Sequence, residues 1–150
     1  MGKNEEATCF VIMPFGGSDK GERFRSKLIY DHVIRPAFDE AKEEYRKEEP
    51  AHDISAFRID EAFVEDLKAS IAKNLRNAPI VVADVSGNNA NVFFELGFRN
   101  AHDKLLVCIS HRPEDAAFWA GKFQVIDYTQ PGSQKLIAAG ILSGFRKVRT

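Results

Sequence analysis

Apolar and polar positions follow two different periods along this chain. Five short runs are mostly apolar, one of which, Ile54–Ile59, alternates like a strand, whereas the longer stretches between them carry apolar residues every three or four positions. The first pattern is typical of strands buried on both faces of a parallel sheet, and the second is typical of amphipathic helices. The strands are predicted over Cys9–Met13, Ile54–Ile59, Pro79–Ala83, Leu105–Ile109 and Phe123–Ile126.

Helices are predicted between these strands, which is the order of elements that builds βαβ units. The first, Glu22–Arg46, contains Pro36, and we expect it to kink or divide there because proline has no amide hydrogen. The others are predicted over Val64–Arg76, Val92–His102, Glu114–Ala120 and Ser133–Phe145. A chain of 150 residues is the size of one domain. We therefore expect a single doubly wound, flavodoxin-like α/β domain: a five-stranded parallel sheet of order 2-1-3-4-5 with helices on both faces.

The composition narrows the class of partner. The 21 Lys and Arg residues balance the 22 Asp and Glu residues, and both signs are mixed along the chain. The sequence has no basic stripe, so we expect no nucleic acid partner. No apolar run approaches the ~20 residues of a membrane span, and the first residues lack the apolar core of a signal peptide. We therefore expect a cytoplasmic protein with no membrane partner.

The cysteines and histidines do not form a metal-ligand pattern. Cys9 and Cys108 each lie within an apolar run, and the predicted strand order puts another strand between them, a separation of roughly 10 Å. That distance is too long for a disulfide, so we expect two buried free thiols. The histidines are scattered at His32, His52, His102 and His111. We therefore expect neither a structural metal nor a cofactor.

Glycines and polar residues follow the predicted strands. In an open parallel sheet, ligands bind beyond the carboxyl ends of the strands where the strand order reverses, here between the first and third strands. The first four strands lead into Phe15-Gly16-Gly17, Asp60-Glu61, Asp84–Asn89 and Ser110-His111, respectively. We therefore predict one ligand site at this edge of the sheet. The glycine-rich turn can bind a phosphate through its amides, and a simple flexible turn is the alternative.

Asp84 and Glu95 are the candidate catalytic residues. Asp84 ends a buried strand, where a carboxylate is costly unless it accepts hydrogen bonds or meets a ligand. The alternative is that Asp84 only starts a turn. Glu95 lies one turn beyond Asn91 on the same helix face, among apolar neighbours that would partly enclose it. The alternative for Glu95 is a surface ion pair with Arg99, four residues later.

Polar residues around these two carboxylates are the candidates for substrate binding. Ser86 and Asn89 can bind ligand hydroxyls or merely close the turn, and either Asn89 or Asn91 is expected to cap the following helix. Asp60 and Asp66 are secondary carboxylates. The predicted substrate-binding residues are Phe15, Gly16, Gly17, Asp60, Ser86, Gly87, Asn89 and Asn91.

Three segments, CFVIMPFG, RIDE and ADVSGNNANVFFELGFRNA, together resemble the nucleoside 2-deoxyribosyltransferase superfamily and its TIR-like relatives, over about residues 8 to 110. The resemblance implies that Glu95 is the helix-borne catalytic glutamate and that Asp84 and Ser86 belong to the loop on the sugar and base side. It also places Phe15 and Gly16 under the ligand and Asp60 beside it. The chain departs from the pattern at two positions: Ala90 replaces a frequent proline, and Phe94 replaces a frequent tyrosine.

The resemblance implies cleavage of an N-glycosidic bond in a nucleotide, a nucleoside or NAD, by hydrolysis or by ribosyl or deoxyribosyl transfer. A carboxylate such as Glu95 suits this chemistry because an oxocarbenium-like centre forms at C1′. The alternatives are a nucleotide-sensing or scaffold module that binds without turnover and, less in keeping with the residues, a phosphoacceptor receiver-like domain. The latter requires an acidic pair after the first strand, which is absent. The resemblance also implies a homo-oligomer, because related crevices are often completed by a neighbouring subunit.

Overall fold

The computed structural model describes residues 7–14, 20–58, 67–115 and 124–148. It contains one sheet of five parallel strands in the order β2-β1-β3-β4-β5. The strands are β1 Ala7–Ile12, β2 Ile54–Arg58, β3 Ile80–Asp84, β4 Leu106–Ser110 and β5 Val125–Asp127. The predicted fold class and strand order are therefore confirmed, and every strand overlaps its predicted range.

Helices flank the strands along the chain. They are α1 Lys20–Ile29, α2 Arg35–Glu48, α3 Leu67–Asn77, α4 Ala90–Ala101 and α5 Ser133–Val148. The single helix predicted over Glu22–Arg46 is divided by a π-helical stretch, Tyr30–Ile34, and Pro36 lies in the first turn of α2. Proline fits there because the first amides of an α-helix need no partner within the helix. The short helix predicted from Glu114 is a 3₁₀ turn over Pro113–Asp115, and residues 116–120 lie outside the described part of the chain.

The core lies in two layers, one on each face of the sheet. Successive residues of a strand point to opposite faces, so Val11 and Val82 pack on one side while Phe10 and Val81 pack on the other. Side chains of α2 and α5 cover the first face, and side chains of α3 and α4 cover the second. All of β3 is buried because both of its faces are covered, which explains its continuously apolar sequence.

Helix α5 approaches the sheet closely through two glycines. A Cβ atom added to Gly140 would lie 2.6 Å from Val107 Cγ2, and one added to Gly144 would lie 2.5 Å from Ile80 Cβ. These contacts are too short for any larger side chain. The two glycines therefore allow α5 to pack closely against β3 and β4, and the carboxyl ends of these strands carry the candidate site.

The two cysteines are buried and free, as expected, with β3 between their strands. Burial raises the pKa of each thiol, Cys9 and Cys108, to about 12, so both are protonated at neutral pH. Within the described residues, no helix is long and apolar enough to cross a membrane. The same residues contain no group of three or more His, Cys, Asp or Glu side chains that could hold a metal ion.

Candidate functional site

Asp84 ends β3 and builds the loop that follows it. Its side chain is buried, and its Oδ1 accepts a hydrogen bond of 3.0 Å from the backbone amide of Ser86. Burial raises the pKa of the Asp84 carboxyl, although hydrogen bonds from Ser86 and the charges of His111 and Arg25 act in the opposite direction. Asp84 is therefore the turn starter that the sequence offered as its alternative, and it is also a partly desolvated acid at the predicted ligand edge.

The loop after Asp84 turns sharply and then caps α4. Gly87 and Asn88 have φ angles of 75° and 53°, in the left-handed region that glycine and asparagine tolerate best. Asn89 Oδ1 then accepts hydrogen bonds from the amides of Asn91, at 3.0 Å, and Val92, at 3.1 Å. Of the two predicted caps, Asn89 is the one observed, because it keeps the extended backbone that a cap requires. Asn91, the other predicted cap, is already inside the helix and exposed, so it does not cap α4.

Ser86 joins the loops that follow three neighbouring strands. Its Oγ accepts a hydrogen bond of 3.2 Å from the backbone amide of His111, which follows β4. The same Oγ lies 3.4 Å from the hydroxyl of Tyr128, which follows β5. The backbone amide of Tyr128 in turn donates to the carbonyl of Ser110 at 3.1 Å. The carboxyl ends of β3, β4 and β5 are thus tied into one hydrogen-bonded network.

A cavity of about 480 Å³ lies between the loops after β3 and β4. Its lining residues are Val85, Gly87, Asn88, His111, Arg112 and Asp115. The side-chain amide of Asn88 donates to the carbonyl of Asp115 at 2.7 Å and so links the two walls. The volume lies within the range of small-molecule sites, roughly 300–1,000 Å³.

Glu95 lies on α4 beside the buried stripe formed by Val92, Leu96 and Arg99. Its side chain is half-buried, and this desolvation raises its pKa to about 7. No hydrogen bond or ion pair within the described residues reaches the Glu95 carboxylate. A carboxylate in this state is costly when ionised, because nothing described around it offsets the loss of hydration.

Arg99 does not form the surface ion pair that was the alternative for Glu95. Its side chain is fully buried, and burial lowers its pKa to about 10. Its Nε and Nη2 donate to the carbonyl of Leu105 at 3.1 and 2.8 Å, and its Nη1 donates to the carbonyl of Leu75 at 2.9 Å. The guanidinium therefore links the end of α3 to the residue before β4. The Glu95–Arg99 spacing gave no sign of this role, which depends on carbonyls from distant segments.

Six of the predicted site residues lie on one loop and helix start: Asp84, Ser86, Gly87, Asn89, Asn91 and Glu95. The other four, Phe15, Gly16, Gly17 and Asp60, lie outside the described residues, as does Asp66. Tyr128 and Arg25 were not predicted from the sequence, and His111 was predicted only as a residue that follows the fourth strand. The strand order was the one available signal for Tyr128, because it puts the end of β5 beside that of β4.

A larger cavity, of about 1200 Å³, lies at the opposite, amino-terminal edge of the sheet. Residues that precede or begin β1, β3 and β4 line it, among them Thr8, Pro79 and Leu105. His102 and three lysines, Lys73, Lys104 and Lys147, contribute to its rim. This cavity is not at the strand ends where open parallel sheets bind ligands, and it holds none of the predicted site residues.

No model of a known protein family matches the chain, and a comparison with curated proteins finds no match either. The family resemblance of the sequence therefore stays a hypothesis.

Proposed function

We propose that this protein cleaves or transfers the N-glycosidic bond of a nucleotide, a nucleoside or NAD, with Glu95 as nucleophile or stabiliser of the oxocarbenium-like centre. One observation supports this most directly: Glu95 is half-buried, and the described residues provide it with no cation or hydrogen-bond donor. Such a carboxylate lowers the stability of the fold, and perturbed acids of this kind cluster at functional sites.

The chemistry needs the ionised carboxylate, which a group with a pKa near neutral still supplies at physiological pH together with its protonated form. With a pKa of about 7, Glu95 populates both forms there. As carboxylate it attacks C1′ of the sugar, the C1′–N bond breaks, and the departing base keeps the electron pair. The base of a nucleoside or nucleotide then takes a proton from water or from Asp84, whereas the nicotinamide of NAD leaves as a neutral molecule and needs none. Water then hydrolyses the resulting glycosyl ester in a hydrolase, whereas another base attacks it in a transferase.

The loop before α4 supplies the supporting residues in this proposal. Asp84 would hold sugar hydroxyls or assist the departing base through Oδ2, since its Oδ1 accepts the amide of Ser86. The run from Asp84 to Gly97 also carries the resemblance to the nucleoside 2-deoxyribosyltransferase superfamily, in which Glu95 matches the catalytic glutamate. This match supports the proposal independently of the burial of Glu95.

The test is release of free base. Wild type and Glu95→Gln are incubated with NAD, ribonucleotides, deoxyribonucleotides and nucleosides, and the products are separated by chromatography. Glu43→Gln, a change of the same kind at an exposed position of α2, is the matched control. We expect release by wild type and Glu43→Gln, and a loss of about 100-fold or more in Glu95→Gln. Absence of release from every substrate would falsify the proposal.

The pH dependence of release then assigns the role of Glu95. If Glu95 attacks as a carboxylate, the rate rises with pH and levels off above the pKa of about 7. If it acts as a proton donor, the rate falls above that pH. Addition of a second, labelled base separates a transferase, which incorporates the label into nucleoside or nucleotide, from a hydrolase, which does not.

The second candidate function is a nucleotide-sensing module that binds without turnover. One observation favours it: Asp84 Oδ1 and Ser86 Oγ are already engaged in contacts that build the loop. A nucleotide that binds equally well to wild type and Glu95→Ala, and is cleaved by neither, would establish this function in place of catalysis.

We further propose that the protein acts as a homo-oligomer in the cytoplasm. The solvent-facing side of α4 supports self-association because its exposed residues are uncharged: Ala90, Asn91, Phe94, Gly97, Asn100 and Ala101. Phe94 is 76% exposed on this face. Light scattering after size-exclusion chromatography should give a mass above that of the 16.8 kDa chain, and Phe94→Glu should lower it.

A further inference from the structure

We propose that the cavity between the loops after β3 and β4 holds the planar heterocyclic base of the ligand, and that His111 and Tyr128 determine its recognition. This inference rests on the proposed function in so far as the ligand is a nucleotide or a nucleoside. It adds a place for the base and two residues that lie outside the Asp84–Gly97 segment, directly after β4 and β5.

The position of the cavity and the hydrogen bonds across its walls fit a ligand site. It lies at the carboxyl ends of the strands, where open parallel sheets bind ligands, and its volume is about 480 Å³. Two hydrogen bonds connect the walls. The side-chain amide of Asn88 donates to the Asp115 carbonyl at 2.7 Å, and the backbone amide of His111 donates to Ser86 Oγ at 3.2 Å. A ligand that enters therefore meets loops that are already joined by hydrogen bonds, and such preorganisation lowers the entropic cost of binding. The same loop leads directly into α4, the helix that carries Glu95.

The side chains at the cavity suit a flat ring. His111 is one of its lining residues, and the imidazole of His111 lies near the ring of Tyr128, with a centroid distance of 6.3 Å and an interplanar angle of 43°. Arg112 and Asn88, whose side chains end in a planar guanidinium and a planar amide, are also lining residues. Proteins hold nucleobases by stacking them on such groups and by hydrogen bonds to their edges.

The charge of the cavity favours the base over the phosphate. Arg112 is its cationic residue, but Arg112 Nε lies 3.0 Å from Asp115 Oδ2 and 3.6 Å from Glu114 Oε1. Two carboxylates therefore accompany one guanidinium, so these residues offer no net positive charge to a phosphate. The two carboxylates would repel a phosphate, whereas an uncharged ring with donors and acceptors at its edge is not repelled.

The experiment compares ligands with and without a base, in a background that does not turn them over. Glu95→Gln protein is titrated calorimetrically with AMP, GMP, CMP and UMP, and with ribose 5-phosphate, which lacks only the base. The same titrations are made after adding His111→Ala or Tyr128→Leu. The matched control is His102→Ala, which removes an imidazole from the rim of the cavity at the opposite edge. Tyr128→Phe keeps the ring and removes only the hydroxyl that lies 3.4 Å from Ser86 Oγ.

We expect at least one nucleotide to bind more tightly than ribose 5-phosphate. His111→Ala and Tyr128→Leu should then weaken that nucleotide about tenfold and leave ribose 5-phosphate unchanged, whereas His102→Ala and Tyr128→Phe should bind like the parent. The inference is wrong if no nucleotide exceeds ribose 5-phosphate, if His111→Ala weakens both ligands equally or neither, or if His102→Ala produces the selective loss. Unchanged near-ultraviolet circular dichroism shows that a variant is folded, and Tyr128→Leu tests the cavity if His111→Ala fails to fold.

This binding assay fails separately from the test of the proposed function. If wild type releases no base but His111→Ala selectively weakens nucleotide binding, catalysis is excluded and the base site stands. If wild type releases base and His111→Ala changes neither nucleotide affinity nor selectivity, the catalytic proposal stands and the base site is elsewhere.

Discussion

Each half of α4 holds one charged side chain, Glu95 in the first and Arg99 in the second. The two differ in their burial and in the hydrogen bonds that the surrounding residues provide. Arg99 is fully buried, yet its three hydrogen bonds satisfy the carbonyls of Leu75 and Leu105. Leu75 lies in the last turn of α3, where carbonyls have no partner within the helix, so Arg99 supplies what that helix end lacks. Glu95, one turn earlier, is half-buried and receives no comparable donor from the described residues.

The Arg99 guanidinium stabilises the fold, whereas the ionised Glu95 carboxylate lowers its stability. Arg99 donates to carbonyls in segments that lead into the amino-terminal edge of the sheet. Glu95 lies nearer the start of α4, which follows the Asp84 loop at the carboxyl edge. Because stability does not explain the burial of Glu95, function is the better explanation, and the following predictions test this difference.

The largest effect is expected from removing the Arg99 guanidinium. Arg99→Ala leaves the Leu75 and Leu105 carbonyls without these donors and opens a void between α3, α4 and β4. We expect the free energy of unfolding, measured in urea, to fall by roughly 3–5 kcal/mol. Arg99→Lys should recover only part of this loss, because one ammonium cannot reproduce the fork that reaches both carbonyls.

Arg146→Ala is the control for charge alone, since Arg146 forms an exposed ion pair with Glu48. It should have little effect, as expected of surface ion pairs. A loss in Arg99→Ala no greater than that in Arg146→Ala would show that the buried guanidinium is not a structural link.

Glu95→Gln should raise the free energy of unfolding, whereas Arg99→Ala lowers it, and the size of this increase should depend on pH. Glu95 has its pKa raised from 4.5 to about 7, so the folded protein holds a proton that the unfolded chain releases between these values. Wild-type stability is therefore unaffected by this group below pH 4.5, falls as the pH rises, and carries the full cost above about pH 7. Glutamine avoids this cost, so the variant should exceed wild type by up to roughly 3 kcal/mol at pH 8 and match it at pH 4.

Urea unfolding at both pH values measures this difference, with Glu43→Gln as the exposed control whose effect should not change with pH. If Glu95→Gln is less stable than wild type at pH 8, the carboxylate has a stabilising partner, and the contrast with Arg99 disappears.

Asp84 is intermediate between Arg99 and Glu95 in how far its polar atoms are satisfied. It is buried, but its Oδ1 accepts a hydrogen bond from the Ser86 amide. Asp84→Ala removes that acceptor, and we expect a loss of about 1–3 kcal/mol in urea unfolding. Asp84→Asn keeps an oxygen in the same place and removes the charge. Since burial raises the pKa of Asp84, the ionised form is disfavoured, and Asp84→Asn should be at least as stable as wild type at pH 8. Equal losses in both variants would mean that the charge itself stabilises the loop.

The architecture could be predicted from the sequence because each strand has a local pattern of apolar residues. The apolar run that includes β3 can be buried only by cover on both faces, and parallel strands joined by helices leave few permissible orders. The turn at Asp84 was also open to prediction, since aspartate before a glycine-containing loop commonly bonds to a nearby amide. These features depend on residues a few positions apart.

The features that the sequence did not predict depend on distant partners. The i,i+4 spacing of Glu95 and Arg99 gave a surface ion pair as the alternative for Glu95, but Arg99 donates instead to a carbonyl 24 residues away in the sequence. The contact between Ser86 and Tyr128 spans 42 residues and depends on where β5 ends beside β4. The predicted β5 ended at Ile126, one residue before the observed end, and nothing local marked the next residues as part of the site.

The smallest effect is expected at the start of α4, where the two candidate caps can be compared directly. Asn89 accepts two amides of the first turn through Oδ1, whereas Asn91 is exposed inside the helix. Asn89→Ala should therefore lower the free energy of unfolding by about 1 kcal/mol, and Asn91→Ala should change it little or raise it slightly because alanine favours helix. The same pair also sharpens the contrast within α4: if the cap positions Glu95, Asn89→Ala should reduce base release more than its small stability loss explains. Base release that follows the folded fraction alone would limit the role of Asn89 to the helix.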